Sequence, residues 1–77
     1  MTKQQHILNA LLDGSRMTHL KALAYGTHRL AAHIFELRKK GYPIQVEESR
    51  DDNNVRYAEY FFSDTYLENV RLSRLAA

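Results

Sequence analysis

Apolar residues recur every three or four positions through the first half of the chain and every second position after Gly41. Ile7, Leu8, Leu11 and Leu12 form one helical stripe, and Leu30, Ile34 and Leu37 form another with the i, i+4, i+7 spacing of a buried face. The first stripe predicts a helix from Thr2 or Lys3 to Leu12, with Thr2 as N-cap and Asp13, Gly14 and Ser15 at its end. Thr18 is placed to cap a second helix, whose inward residues are expected to be Leu20, Leu23 and Ala24. The third helix is expected from Thr27 or His28 to Lys40, after a turn that uses Gly26. Gly41 stops it behind Arg38, Lys39 and Lys40, cations that suit the carbonyl end of a helix. A short helix, a glycine turn and a longer basic helix are the parts of a helix-turn-helix.

Pro43 holds Tyr42 extended and suits a strand start. Ile44 and Val46 alternate with Gln45 and Glu47, the period of a half-buried strand. The polar run from Ser49 to Asn54 is a loop, and Val55 to Phe62 is the returning strand of a hairpin. Ala58, Tyr60 and Phe62 are expected to join Ile44 and Val46 over the helices, leaving Val55, Tyr57 and Phe61 outside. Arg16 and Met17 form an extended step suited to pairing with this hairpin. Ser63, Asp64 and Thr65 open a last helix, with Tyr66, Leu67 and Val70 on one side and Leu72 and Leu75 on the other. The expected fold is therefore α+β and mostly helical: three helices, a two-stranded wing and an extra C-terminal helix. Residues 1–62 form the winged helix-turn-helix, and residues 63–77 form a helix that packs on it or on a second subunit.

Composition narrows the function. At 77 residues and 44% apolar, the chain makes one small folded domain with no cysteine for a disulfide or thiolate metal site. No apolar run is long enough to span a bilayer and the N-terminus lacks a signal-peptide core, so a cytoplasmic, nucleoid-associated protein is expected. The net charge of +2 hides a division: seven Lys/Arg against two acids in residues 1–41, and four against seven in residues 42–77. The first half is suited to face a polyanion.

Specific residues carry a resemblance. Ile7-Leu8, Leu11-Leu12, Met17-Thr18, Ala22-Leu23, Gly26, the run Arg29-Leu30-Ala31-Ala32, Ile34, Leu37-Arg38 and Gly41-Tyr42-Pro43-Ile44, then Ala58-Glu59-Tyr60, resemble small winged helix-turn-helix proteins of phages and bacterial prophages. The resemblance spans residues 5–62 and is most specific from Arg29 to Ile44. It implies binding of double-stranded DNA through the third helix, as a transcriptional regulator or an excisionase-type accessory factor. If Leu20, Ala24, Ala31 and Ile34 are the packing positions, the turn glycine falls one residue later than in the common pattern.

With Leu30, Ile34 and Leu37 inward, the candidates for base contact are Thr27, His28, Arg29, Ala32, His33 and Glu36. Arg29 can donate two hydrogen bonds to guanine, Ala32 can touch a thymine methyl, and Glu36 can accept from cytosine. Candidates for phosphate contact are Thr18, His19 and Lys21 at the start of the second helix, Lys39 and Lys40 at the end of the third, and Arg50 and Arg56 in the wing. Asp51, Asp52, Glu47 and Glu48 oppose the wing contact. His28 and His33 are five positions apart, so they do not align as helix-face ligands, and no metal site or cofactor is expected. No phosphate-binding glycine loop or activated nucleophile points to an enzyme or a small-molecule substrate.

Val55, Tyr57 and Phe61 each forgo roughly 1.5–3 kcal/mol of burial if left wet. With Leu72 and Leu75 they make a candidate homodimer interface, the alternative being cover by the last helix. A different class of function, a winged-helix module that binds a host or phage protein through its acidic half, also fits the composition.

Overall fold

The computed structural model describes residues 2–76; residues 1 and 77, the outer bounds of the two expected segments, lie outside them. Helix α1 (Lys3–Leu12) begins with a reciprocal cap. The Gln5 backbone N–H donates to the Thr2 hydroxyl at 3.1 Å, and the Thr2 N–H donates to the Gln5 side-chain oxygen at 2.9 Å. Ile7 and Leu11 on this helix are fully buried. Met17 then pairs with Tyr60 through two backbone hydrogen bonds of 2.7 and 2.8 Å, the extended step expected of that segment.

Helix α2 (His19–Ala24) departs from the expected packing. Ala22 is fully buried, while Leu20 is 77% exposed and Ala24 is also exposed. Residues two apart on a helix are separated by about 200°, so burying Ala22 turns both neighbours to solvent. Ala31 is exposed as well. Three of the four packing positions expected for the motif therefore lie outside, and the apparently late turn glycine disappears with them. Ala22 is the inward residue, and the chain reverses through it: Gly26 N–H donates to Leu23 O at 2.9 Å and Thr27 N–H to Ala22 O at 3.1 Å. This double closure requires a left-handed residue at Gly26, whose φ is +83°. The same closure recurs at Gly41, where Gly41 and Tyr42 donate to Arg38 O and Leu37 O.

Helix α3 (Leu30–Lys39) starts later than the expected Thr27 or His28. The Thr27 hydroxyl accepts from Arg29 N–H at 3.1 Å, holding the segment in a turn until Arg29. Leu30, Ile34 and Leu37 are all buried, and with Ile7, Leu11, Met17, Ala22, Ile44 and Phe62 they form the core.

Strands β1 (Gln45–Arg50) and β2 (Arg56–Phe61) form an antiparallel hairpin in which Val46 faces Tyr60 and Arg50 faces Arg56. Its three-residue tip is closed by Asp51 and carries Asn54 at φ +64°. The helices cover only the base of this hairpin. Ile44 and Phe62 are buried, but Val46, expected to lie over the helices, is 52% exposed. Phe61, expected outside, is half-buried beneath the Arg16 guanidinium, 4.2 Å from its ring centroid. Arg16 also meets Glu47 at 3.5 Å and Glu59 at 3.8 Å. Neither the last helix nor a second subunit is needed at Phe61.

Helix α4 (Asp64–Ala76) is capped by Ser63, which accepts from Tyr66 N–H at 3.1 Å. Tyr66 packs 4.6 Å from Phe62, and Leu67 joins the core margin. Leu72 and Leu75 remain exposed. Wing and terminal helix together give an elongated molecule of 45 × 25 × 20 Å.

The packing of α2 makes a direct test. Ala22→Leu should destabilise the fold by about 1–3 kcal/mol through overpacking. Leu20→Ala should change stability by less than about 0.5 kcal/mol. Urea unfolding midpoints of the two variants measure the difference.

Candidate nucleic-acid interface

The buried edge of α3 fixes which side chains it presents. Counting about 100° per residue from Leu30, the opposite face carries Ala32, Phe35, Glu36 and Lys39, with Ala31 at its margin and Arg38 nearer the buried edge. His28 and Arg29, on the last residues before the helix, are exposed. Ala32 is half-buried and Phe35 is 60% exposed.

Two expected base readers are removed from this surface. Thr27 is only 5% exposed, its hydroxyl taken up by Arg29 N–H and lying 3.3 Å from His33 Nε2. The His33 ring is half-buried and turned toward Thr27, with Nδ1 enclosed. Both residues lock the turn instead of projecting from it. Thr27 follows a glycine turn, where a hydroxyl finds local backbone partners; that is why it folds inward.

The polar residues at the far end of α3 are also engaged. Gln4 on α1 donates its amide to Glu36 at 2.8 Å and accepts from the Lys40 ammonium at 3.0 Å. One amide thus ties an acid and a base one turn apart to the first helix. Glu36 stays on the outward face, with its carboxylate held by the Gln4 amide of α1. Arg38 donates twice to the Ile44 carbonyl, at 3.0 and 2.8 Å. It fastens α3 to the base of the hairpin. Lys39 folds its ammonium over the Phe35 ring, 4.8 Å from the centroid.

Phe35 was not among the residues expected to act, and Ala31 was expected as a packing position. Helical arithmetic places Phe35 outward and Ala31 at the margin of that face, but an aromatic residue beside Ile34 is easily assigned to the core.

At the start of α2, Thr18 accepts from Lys21 N–H at 3.2 Å and Lys21 Nζ donates to Arg16 O at 2.9 Å; His19 is exposed. The Thr18 hydroxyl is therefore a helix cap. In the wing, Arg50 donates to the Asn54 side chain at 2.9 Å and Arg56 pairs with Glu48 at 3.2 Å. Asp51 accepts from Asn53 and Val55 N–H groups and shapes the tip. Val55 and Tyr57 stand exposed beside it. Among the described residues, no group of three or more His, Asp or Glu side chains gathers as a metal site, and no helix is long and apolar enough to cross a membrane.

A three-helix unit with a glycine turn, a basic third helix and an adjoining hairpin is a winged helix-turn-helix. A family model described as a winged helix-turn-helix domain matches residues 2–65, and the chain belongs to that family. Comparison with curated proteins and with solved structures gives no match. Such a domain is typically a DNA-binding, non-enzymatic module, and the fold suggests DNA binding here.

The turn offers a second test. Thr27→Val keeps the shape of the side chain but removes the acceptor for Arg29 N–H, and should cost about 1–2 kcal/mol of stability. His28→Ala, one residue on and exposed, should cost less than about 0.5 kcal/mol. Thermal unfolding followed by circular dichroism separates the two.

Proposed function

We propose that this protein binds double-stranded DNA sequence-specifically by placing α3 in the major groove. The observation that supports it most directly is the outward face of α3, held in place by its buried edge, with Arg29 at one end and Lys39 and Lys40 at the other. His28, Arg29 and Ala32 lie at the N-terminal end, where a recognition helix meets base edges. Arg29 is the natural guanine reader, through paired hydrogen bonds to O6 and N7. Lys39 and Lys40 meet phosphates at the groove rim, and His19 and Lys21 meet the backbone beside it. Arg50 and Arg56 contribute little, because the wing carries Asp51, Asp52, Glu47 and Glu48 around them. The operation served is transcriptional regulation in a phage or prophage, or an excisionase-type architectural role that uses the same contacts.

Residues 1–62 act as the reader. The terminal helix, with Leu72 and Leu75 exposed, joins Val55 and Tyr57 as surface for a homodimer that reads two half-sites. A predominantly monomeric sedimentation profile at high micromolar concentration overturns the dimer.

The acidic hairpin favours a second reading, in which the wing docks a basic protein partner instead of DNA. Duplex affinity separates the readings. Gel-shift titrations against DNA flanking the gene should weaken steeply with salt, with a log–log slope of about −0.9 per neutralised phosphate. Arg29→Ala should flatten the preference among duplexes, at about 1–3 kcal/mol for the position it reads. Lys40→Ala should weaken every duplex alike and reduce the salt slope by about one phosphate. If neither variant alters DNA affinity, the protein-docking reading takes its place.

A further inference from the structure

We infer that Phe35 is a specificity-determining residue that reads the C5 methyl group of a thymine in the major groove. The inference rests on the DNA-binding reading above and adds the base class that the middle of α3 recognises. Phe35 is 60% exposed, although it sits near the centre of a helix whose opposite edge is completely buried. Its ring is not loose: the Lys39 ammonium lies 4.8 Å from the centroid. That contact orients the aromatic group and leaves the rest of its surface open to a ligand.

The surroundings define what can fill it. Ala31 and Ala32, one turn earlier on the same face, add almost no bulk between the helix backbone and an approaching surface. Arg29, Lys39 and Lys40 give this apolar patch a mainly positive border, in which Glu36 is the single acid and is held by the Gln4 amide. The complementary surface has negative charge along its edges and a small apolar group on a recessed floor. B-form DNA provides this combination, with phosphates at the rims of the major groove and the thymine methyl on its floor. The groove is about 12 Å wide and admits a helix. A-form RNA is a poor fit, because its major groove is too deep and narrow for side chains and uracil lacks the methyl group.

The thymine methyl can be removed without disturbing base pairing. The full chain is first used to select its preferred duplex from a randomised pool. Each thymine of that duplex is then replaced singly by deoxyuridine, and affinity is read by fluorescence anisotropy. For the wild-type protein, one replacement per half-site should weaken binding about three- to tenfold, the scale of one buried methyl group. Phe35→Ala should show a similar loss on the thymine duplex and no further loss on its deoxyuridine counterpart. Because Phe35 is exposed, the variant should keep the wild-type thermal midpoint, which is checked alongside. Wild-type affinity that is indifferent to every deoxyuridine overturns the inference while leaving DNA binding intact. So does a Phe35→Ala protein that still distinguishes thymine from deoxyuridine. If no duplex is selected and binding shows no salt dependence, the DNA-binding reading itself falls.

Discussion

Burial of one helix edge governs the rest of this molecule. Leu30, Ile34 and Leu37 enter a core shared with Ile7 and Leu11 of α1, Met17 and Ala22 around α2, and Ile44 and Phe62 at the hairpin base. Each of these side chains leaves water only if α3 keeps one rotation about its axis. Once that rotation is set, Ala32, Phe35, Glu36 and Lys39 have no choice but to face out. The domain is small, and a core of this size has little stability to spare. The residues that define the outward surface are therefore held by the same contacts that keep the chain folded.

Polar contacts complete the positioning. Arg38 binds the carbonyl of Ile44, so the end of α3 and the start of the hairpin move as one piece. Gln4 joins Glu36 and Lys40 to α1, and the Thr27 hydroxyl holds the chain immediately before α3. These bonds are individually modest, on the order of 1 kcal/mol each, and the exposed ones contribute less. Their main effect is directional. They divide the basic residues of this region into those that fasten the helix, such as Arg38, and those displayed at its ends, such as Arg29.

The hairpin follows a different electrostatic pattern. Arg16 spans Glu47 and Glu59 on one face while Arg56 meets Glu48 on the other, and Asp51 spends its carboxylate on the turn. Exposed ion pairs of this kind add little stability. They partly offset Glu47, Glu48 and Glu59, while Asp51 and Asp52 leave the tip of the hairpin acidic. The negative charge that remains is concentrated at the tip, beyond the base of the hairpin that packs on the helices.

Much of this was legible in the residue pattern. Helical spacing, the glycines at helix ends and the change of period after Gly41 determined the order of elements, the edge of α3 that is buried and the pairing of Met17 with the hairpin. The winged helix-turn-helix class follows from them, since capping, turn conformation and periodicity are local properties that each stretch carries by itself. Tertiary structure decided what lay between neighbours. Leu20 was expected in the core, but it lies about 200° from Ala22 on α2, and the packing of the other elements turned Ala22 inward. Thr27 and His33 looked like readers until they were found bonded to one another across the turn. Phe61 found its cover in Arg16, far away in the chain. Spacing along a chain can say which residues share a face. Which face is turned inward, and which polar groups satisfy each other across it, depends on the volume and partners that the other elements bring.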